Sequence, residues 1–501
     1  MKQIPDLCRQ RAALSPEATA FVDLANGREW RFADVDRRAS RCAGWLRAWG
    51  LAPGARVAVL CQNTPLFFEL LFAAVRAGLI LVPLNWRQTV AELGPVLADS
   101  GAGLLLHDAG SAALAEALGQ AGGVPRHALE ALDPVLDTPG DTVPVTAWES
   151  DAVWYLLYTS GTTGKPKAVI QTAGMALANA VNVMLATGID ASTQALNFLP
   201  LFHTAGINLH TLPVFFAGGV SRVLPKFEAD AVLGLIGARQ LTIFFGVPQI
   251  YQLMSLSPVF ANTDLSAVRH WGCGGAPLSA ALIDEFMARG VAICNGMGMT
   301  ETGPTVFLMD PSKAAEKIGS VGKPQLLAEV RLVDWHDEDV APGEAGELLF
   351  RGPGITPGYF NNPEATAKAF APGGWLRSGD VGRQDADGCY YVVDRIKDMF
   401  ISGGENVYPA EVEIALHAHP AVLEAAVLGV PDETWGEVGH AAILLRPGMT
   451  ASVEDIRAHA RARLAGYKVP KHFTIVADFP RTAAGKIQKH VLRSLVAGGR
   501  P

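Results

Sequence analysis

Several absences narrow this 501-residue chain before any motif is read. No uncharged apolar run reaches the ~18 residues that a membrane span requires. Residues 1–20 carry Lys2, Asp6, Arg9 and Arg11 where a secretory leader would place an apolar block, so neither a span nor a signal peptide is expected. A basic excess is missing too: 41 Lys and Arg against 49 Asp and Glu leave a formal net charge of −8. That argues against nucleic acid as a partner, because a phosphate-tracking surface needs positive charge. Cysteine is sparse, with six residues scattered at Cys8, Cys42, Cys61, Cys273, Cys294 and Cys389 and no C-x-x-C pair. A disulfide framework and a zinc site are both disfavoured; reduced thiols and a cytoplasmic location are expected. Internal repeats and low-complexity tracts are lacking as well.

What is present is apolar mass. Hydrophobic residues make up 49% of the chain, enough to bury large cores in more than one domain. Residues 56–84 read as strand (56–60), helix (65–77) and strand (79–83), a βαβ unit that implies a parallel sheet. A stretch rich in Ala, Gly, Pro and Asp, about 109–150, carries little periodic signal and reads as a linker. A second α/β block follows from 151 to about 317, with a helix near 176–186 and a buried strand near 241–247. From Gly319 the texture changes to short alternating runs between turn signals, a small antiparallel β subdomain. Beyond Asp394-Arg395 a compact α+β pattern takes over, with helices near 409–418 and 453–464 and strands 425–430 and 441–445. The expected architecture is α/β: a large N-terminal domain (1–395) of parallel-sheet α/β subdomains plus a small β subdomain, then a small α+β C-terminal domain (396–501).

The chain's most pointed stretch is Tyr158-Thr159-Ser160-Gly161-Thr162-Thr163-Gly164-Lys165-Pro166-Lys167, between the apolar runs 152–157 and 168–170. Glycine lets a turn aim several N–H groups at one point. Hydroxyls and ammoniums add donors there, so the natural guest is a polyphosphate. The spacing is not that of a Walker loop, which needs four residues between its glycines and a Ser or Thr after the Lys. A solvated Ser/Thr/Gly surface loop is the plain alternative.

Five more stretches line up behind it: 198–206 around His203, Asn295-Gly296-Met297-Gly298-Met299-Thr300-Glu301, Ser378-Gly379-Asp380, Asp394-Arg395-Ile396-Lys397-Asp398, and 480–487 around Lys486. In this order and at these separations they resemble the adenylate-forming superfamily, most closely its acyl-CoA synthetases, over about residues 10–495. The resemblance implies an acid–CoA ligase using ATP, Mg²⁺ and coenzyme A. A carboxylate attacks the α-phosphorus of ATP, giving an acyl-adenylate and pyrophosphate, and a thiol then displaces AMP. Fixed cations and N–H donors would stabilise charge developing on phosphoryl oxygens.

By that resemblance, Thr159, Ser160, Gly161, Thr162, Thr163, Gly164 and Lys165 cradle the phosphates, with Lys167 a cation for the leaving pyrophosphate. Glu301 is the expected Mg²⁺ ligand, or plainly a cap partner after Thr300. Gly275, Ala276, Pro277 and Met297 flank the adenine, with Asn295, Gly296, Gly298, Met299 and Thr300 around it. Met297 departs from the family's usual aromatic, and Ala168 from its usual Gly. Asp380 and Arg395 meet the ribose. His203 sits where acid and ATP meet; its plain reading is a packed core histidine. Lys486 bridges carboxylate and α-phosphate, Lys397 is the hinge, and Ser402, Gly403 and Gly404 line a pantetheine tunnel. The acid lies among His203, Asn208, Phe245, Gly246, Gly274, Gly296, Pro304 and Val306, with glycines leaving depth and Phe245 and Val306 as apolar walls. An apolar acid is expected, aryl (benzoic or cinnamic) or medium-chain fatty, with a lean towards aryl. The alternatives are an adenylating enzyme that loads a separate carrier protein, a luciferase-type oxidation, and a non-catalytic nucleotide binder. A homodimer is compatible with the resemblance.

Overall fold

The computed structural model describes residues 2–139, 142–143, 147–160, 166–276, 278, 280–481 and 487–498. Among the described residues its N-terminal part is mixed α/β, built on three larger sheets and a two-stranded one, Gln3–Pro5 with Ala147–Glu149. The first orders Pro166–Thr172, Val153–Ser160, Ile80–Pro83, Arg56–Leu60, Ala102–His107 and Arg126–Ala128, all parallel except the hairpin at its edge. The second runs Gln194–Asn197, Val220–Val223, Thr19–Asp23 and Glu29–Arg31. The third begins with parallel strands Ile243–Gly246, His270–Gly274 and Ile293–Met297 and ends in short antiparallel ones, Phe307–Leu308 and Lys323–Pro324.

The helix Pro65–Ala77 illustrates why the centre holds. Thr64 caps its start by accepting from the Leu66 N–H, Pro65 supplies a pre-set first turn, and Gly78 at φ +73° ends it. Its apolar residues go all the way round, so it can only be a core helix. Phe67, Phe68 and Phe72 are fully buried among Phe21, Phe215 and Trp154, each contributing about 2–3 kcal/mol of burial. Two buried ion pairs fix its neighbours: Arg76 to Asp6 at 2.7 Å and Arg38 to Glu69 at 2.7 Å.

The expected βαβ unit is present, with its second strand starting one residue late at Ile80. The region read as a linker is different. It folds into the helix Ala112–Gly122 and the edge strand Arg126–Ala128; its many small residues hid the amphipathic period. The two α/β blocks also interleave. The hairpin 153–172 completes the first sheet, while Thr19–Asp23 crosses into the second. After Gly319 the antiparallel subdomain forms as expected, from Glu329–Val333, Ala345–Arg351, Trp375–Gln384 and Tyr390–Arg395. A last sheet, led by the long pair Val422–Asp432 and Gly436–Leu445, packs on the helices Pro409–His417 and Val453–Arg461.

Candidate active site

Of the stretch 158–167, the described residues 158–160 and 166–167 lie on the antiparallel pair Val153–Ser160 and Pro166–Thr172, in the register Pro166 to Ser160 and Lys167 to Thr159. Gly161, Thr162, Thr163, Gly164 and Lys165 lie outside the described residues, as do Pro277 and Lys486. Along the outer edge of the hairpin runs the segment 355–360. Ile170 donates to the Gly358 carbonyl at 3.1 Å, Phe360 to that of Ala168 at 2.8 Å, and Tyr359 bridges Val169. Tyr359 thereby reaches both sides: the Lys167 ammonium sits 5.1 Å from its ring centre, and its hydroxyl donates to Glu301 Oε1 at 2.8 Å.

Glu301 belongs to a single turn, Thr300–Thr302, that follows the strand Ile293–Met297. Gln171 of the hairpin holds this turn by donating to the Thr300 carbonyl at 2.9 Å, and Thr356 donates to the Glu301 carbonyl at 2.8 Å. The carboxylate is buried, and among the described residues its second oxygen accepts no hydrogen bond. Burial first, and then the Glu301 charge, push the Tyr359 phenol up, so it stays a donor at neutral pH. A cation, a phenol and a carboxylate with a spare oxygen thus share one corner. That donor set fits Mg²⁺, which takes one protein carboxylate and completes its shell with phosphate oxygens. Sequence reasoning missed Tyr359; only its place after the Pro357-Gly358 turn marks it.

His203 lies just before a π-helical turn, Ala205–Leu209, a wide-ring geometry that recurs at functional sites. A side chain on Gly206 would collide with the carbonyl oxygens of Leu199 and Pro200, so only glycine lets this turn close. His203 stacks at a tilt on Phe202, centroids 4.8 Å apart. Asn208, expected on the acid pocket, is otherwise engaged. Its amide donates to Thr204 Oγ1 (3.1 Å) and Gln171 Oε1 (3.4 Å) and accepts from the Tyr155 hydroxyl (2.7 Å). Its carbonyl accepts from Asn179 at 2.6 Å. Asn208 ties the His203 turn to the hairpin strands instead of facing a ligand.

The glycines of the acid slot form a flat floor on the third sheet. A Cβ on Gly272 would meet Phe245 Cδ2 at 2.7 Å, and one on Gly274 would meet Phe245 Cζ at 3.1 Å. The Phe245 ring therefore lies lengthwise over both. A Cβ on Gly296 would meet Leu308 at 2.7 Å, so the depth expected there is taken by Leu308. Gly246 is crowded by Ile250. Val306 packs with Phe307, Leu348 and Met297 against the β subdomain, whereas Leu308 shares a cluster with Phe245. Leu308, not Val306, is the residue of this segment that packs with Phe245.

Asn295 to Thr300 are all half-buried, and Gly275 and Ala276 are exposed. On Gly298 a side chain would run into the Pro304 carbonyl; Pro304 thus backs this strip. Across from it, Arg395 Nε and Asp380 Oδ1 are 3.3 Å apart, on paired positions of neighbouring strands. The ladder ends where Ile396 donates to the Gly379 carbonyl at 2.9 Å. Lys397 is exposed in the turn that follows. Asp394 reaches past it: its carboxylate accepts from the Ala410 N–H at 2.7 Å, at the start of the helix Pro409–His417. Gly403 and Gly404, at φ +61° and +89°, turn the hairpin of Phe400–Ser402 and Glu405–Val407, in which Ser402 is buried, and Trp435 lies over Gly403.

Known proteins bear on this arrangement. A sequence profile described as "AMP-binding enzyme" matches residues 8–360, and one described as "AMP-binding enzyme C-terminal domain" matches residues 411–486. The chain is 44% identical to a feruloyl-CoA synthase of Amycolatopsis over 486 residues, 97% of both chains. It is 36% identical to a long-chain-fatty-acid–CoA ligase of Mycobacterium tuberculosis over 502 residues, 98% of both. Among solved structures, the o-succinylbenzoate CoA synthetase of Bacillus subtilis with its acyl-adenylate intermediate superposes with a TM-score of 0.89 at 32% identity, over 98% of this chain and 99% of that one. The same enzyme with ATP and magnesium ion gives 0.88 at 32%, over 98% and 100%.

Proposed function

The chain belongs to the AMP-binding enzyme family, and on that premise we propose that the acid it activates is an aryl acid of the benzoic or cinnamic type. The enzyme is an ATP-dependent acid–CoA ligase. It joins a carboxylate to AMP with release of pyrophosphate, then passes the acyl group to CoA and releases AMP. The first transition state gathers negative charge on phosphoryl oxygens, so fixed cations and donors are its main stabilisers.

The observation that carries the assignment of residues is the corner formed by Lys167, Tyr359 and Glu301 beside the strands Val153–Ser160 and Pro166–Thr172. Lys167 faces the leaving pyrophosphate. Glu301 holds Mg²⁺, which when bound neutralises phosphate charge, and Tyr359 orients the Glu301 carboxylate. Asp380 and Arg395 take the ribose, Met297 and Gly275 the adenine. His203 guards the meeting of acid and nucleotide, and Lys486 supplies a charge between carboxylate and α-phosphate. The domain boundary falls at 395/396, with Lys397 the hinge. All six cysteines are free and buried, which supports the cytoplasm as location.

For the acid, support comes from the shape of the slot. Phe245 lies flat over Gly272 and Gly274 and offers a plate one ring long, against which a planar acid stacks. A flexible chain gains less from such a plate. Acid-dependent ATP–pyrophosphate exchange, run on a panel of benzoic, cinnamic and C6–C12 fatty acids and followed by CoA thioester formation, tests this. Exchange led by aryl acids is the expected result. A panel led by fatty acids would overturn the aryl assignment and leave the ligase chemistry standing.

A further inference from the structure

Two buried histidines stand at the inner end of the acid slot, and neither half-reaction uses them. His210 closes the π-helical turn, and His270 opens the strand His270–Gly274; they are 6% and 2% exposed. Both ring nitrogens of His270 are buried with no hydrogen-bond partner among the described residues. Its Cε1, the carbon between them, lies 3.3 Å from where a Cβ on Gly272 would stand, next to the edge of Phe245. His210 meets that same ring edge-on, centroids 6.1 Å apart at 83°. With Asn197, Thr211 and Phe245 it lines a cavity of ≈ 10 Å³, room for about one water-sized group.

The environment sets the chemistry. Burial pushes His270 down to about 4 and His210 down to about 3, where proximity to His270 adds to the effect. Both rings are therefore neutral at physiological pH, each with one donor and one acceptor nitrogen. Ile243 pairs with His270 across the sheet, and Leu209 and Val214 flank His210 along its turn and helix, so an unfilled donor or acceptor on these buried rings is destabilising. A carboxylate or ammonium on the substrate would find no opposite charge in these rings. An alkyl chain would leave the nitrogens unpaired. A hydroxyl donates and accepts at once and matches both.

Phe245 supplies the alignment. Its ring spans from Gly274 at the nucleotide end to Gly272 at the histidine end. An aryl acid stacked along it, carboxylate towards His203, turns its far ring position to the imidazoles. Building on the aryl-acid reading, we propose that His210 and His270 form a subsite for the ring hydroxyl of a phenolic acid and select it over unsubstituted analogues.

The test compares kcat/KM for 4-hydroxycinnamate, cinnamate, 4-methoxycinnamate and octanoate in the intact enzyme and in His270→Leu, His210→Leu and His270→Gln. The intact enzyme is expected to prefer 4-hydroxycinnamate to cinnamate by about tenfold or more, because a hydrogen-bonding site rejects the analogue that leaves it unpaired. In His270→Leu that ratio should fall to within about threefold of one, and His270→Gln should recover part of it. The ratio in the intact enzyme and in His270→Gln decides the matter even where a Leu variant does not fold. A ratio near one in the intact enzyme, or an unchanged ratio in the folded Leu variants, overturns the subsite. Turnover of octanoate with all three aryl acids inert overturns the aryl-acid reading instead.

Discussion

At the scale of single residues, the corner made by Lys167, Tyr359 and Glu301 puts the most weight on a side chain the sequence did not flag. Tyr359 → Phe removes one hydroxyl and keeps the ring under Lys167. Glu301 then loses a hydrogen bond to a charged acceptor, worth about 1.5–3 kcal/mol. The expected outcome is a fall in adenylation kcat/KM of about tenfold to a hundredfold, with saturation shifted to higher Mg²⁺. Titrating Mg²⁺ in the ATP–pyrophosphate exchange assay reads it. An unchanged Mg²⁺ response would detach Tyr359 from the metal's ligand. The sequence singles out Glu301 and Lys167 because each stands in a short motif whose residue types fit phosphate chemistry. Tyr359 is not singled out, because its partners are distant in sequence and only the bridge to Val169 brings it to them. Asn208 shows the opposite case: a polar residue expected to face the acid has its amide engaged by Tyr155, Thr204 and Gln171, partners that the local sequence does not reveal.

At the scale of elements, periodicity located most strands and helices to within a few residues, because burial on one face is a local signal. It could not say which strands pair. The hairpin 153–172 joins strands from residues 56–83, a choice made by packing across the whole domain. The π-helical turn 205–209 was also invisible, since its stability comes from Asn208 bonds to three other elements. Asn208→Leu should cost about 2–4 kcal/mol by stranding several buried polar groups. A urea midpoint within error of the parent would show that the network is dispensable. A second element-level device is Asp394, which accepts the first N–H of the helix Pro409–His417. Burial pushes this carboxyl up to about 6, against the partial relief of the Ala410 N–H and the Lys489 charge. The folded state therefore holds the proton between about pH 4 and 6, where the unfolded chain has released it. The group's contribution to stability falls as pH rises through that window and is level above it. Asp394→Asn carries no such titration, so its Tm relative to the parent should climb from pH 4 to 6.5 and then flatten. A pH-independent difference would remove Asp394 as the source.

At the scale of the molecule, one question is how a single site performs two reactions whose geometries conflict. The change in texture after Asp394-Arg395 marked a boundary. At this point Ile396 donates to the Gly379 carbonyl, and Lys397 follows in an exposed turn. Asp398 and Met399 donate back to the Arg395 carbonyl, and the Asp394 cap ties this short loop to the helix Pro409–His417. A rotation of the C-terminal domain must concentrate its φ/ψ change in such a place. Lys397→Pro tests it, because proline locks φ near −65° and also biases Ile396 towards extended backbone. The orientation that brings Lys486 to the phosphates should survive, while the one that brings Gly403 and Gly404 to the acyl-adenylate should not. The expected result is acid-dependent ATP–pyrophosphate exchange within about threefold of the parent, beside a loss of CoA thioester formation of about a hundredfold, some 2.7 kcal/mol. Circular dichroism and an unchanged melting profile would show that the variant is folded. Full thioester turnover in that folded variant would place the pivot elsewhere, and loss of both half-reactions together would mean that Lys397 holds the site in place instead of letting it change.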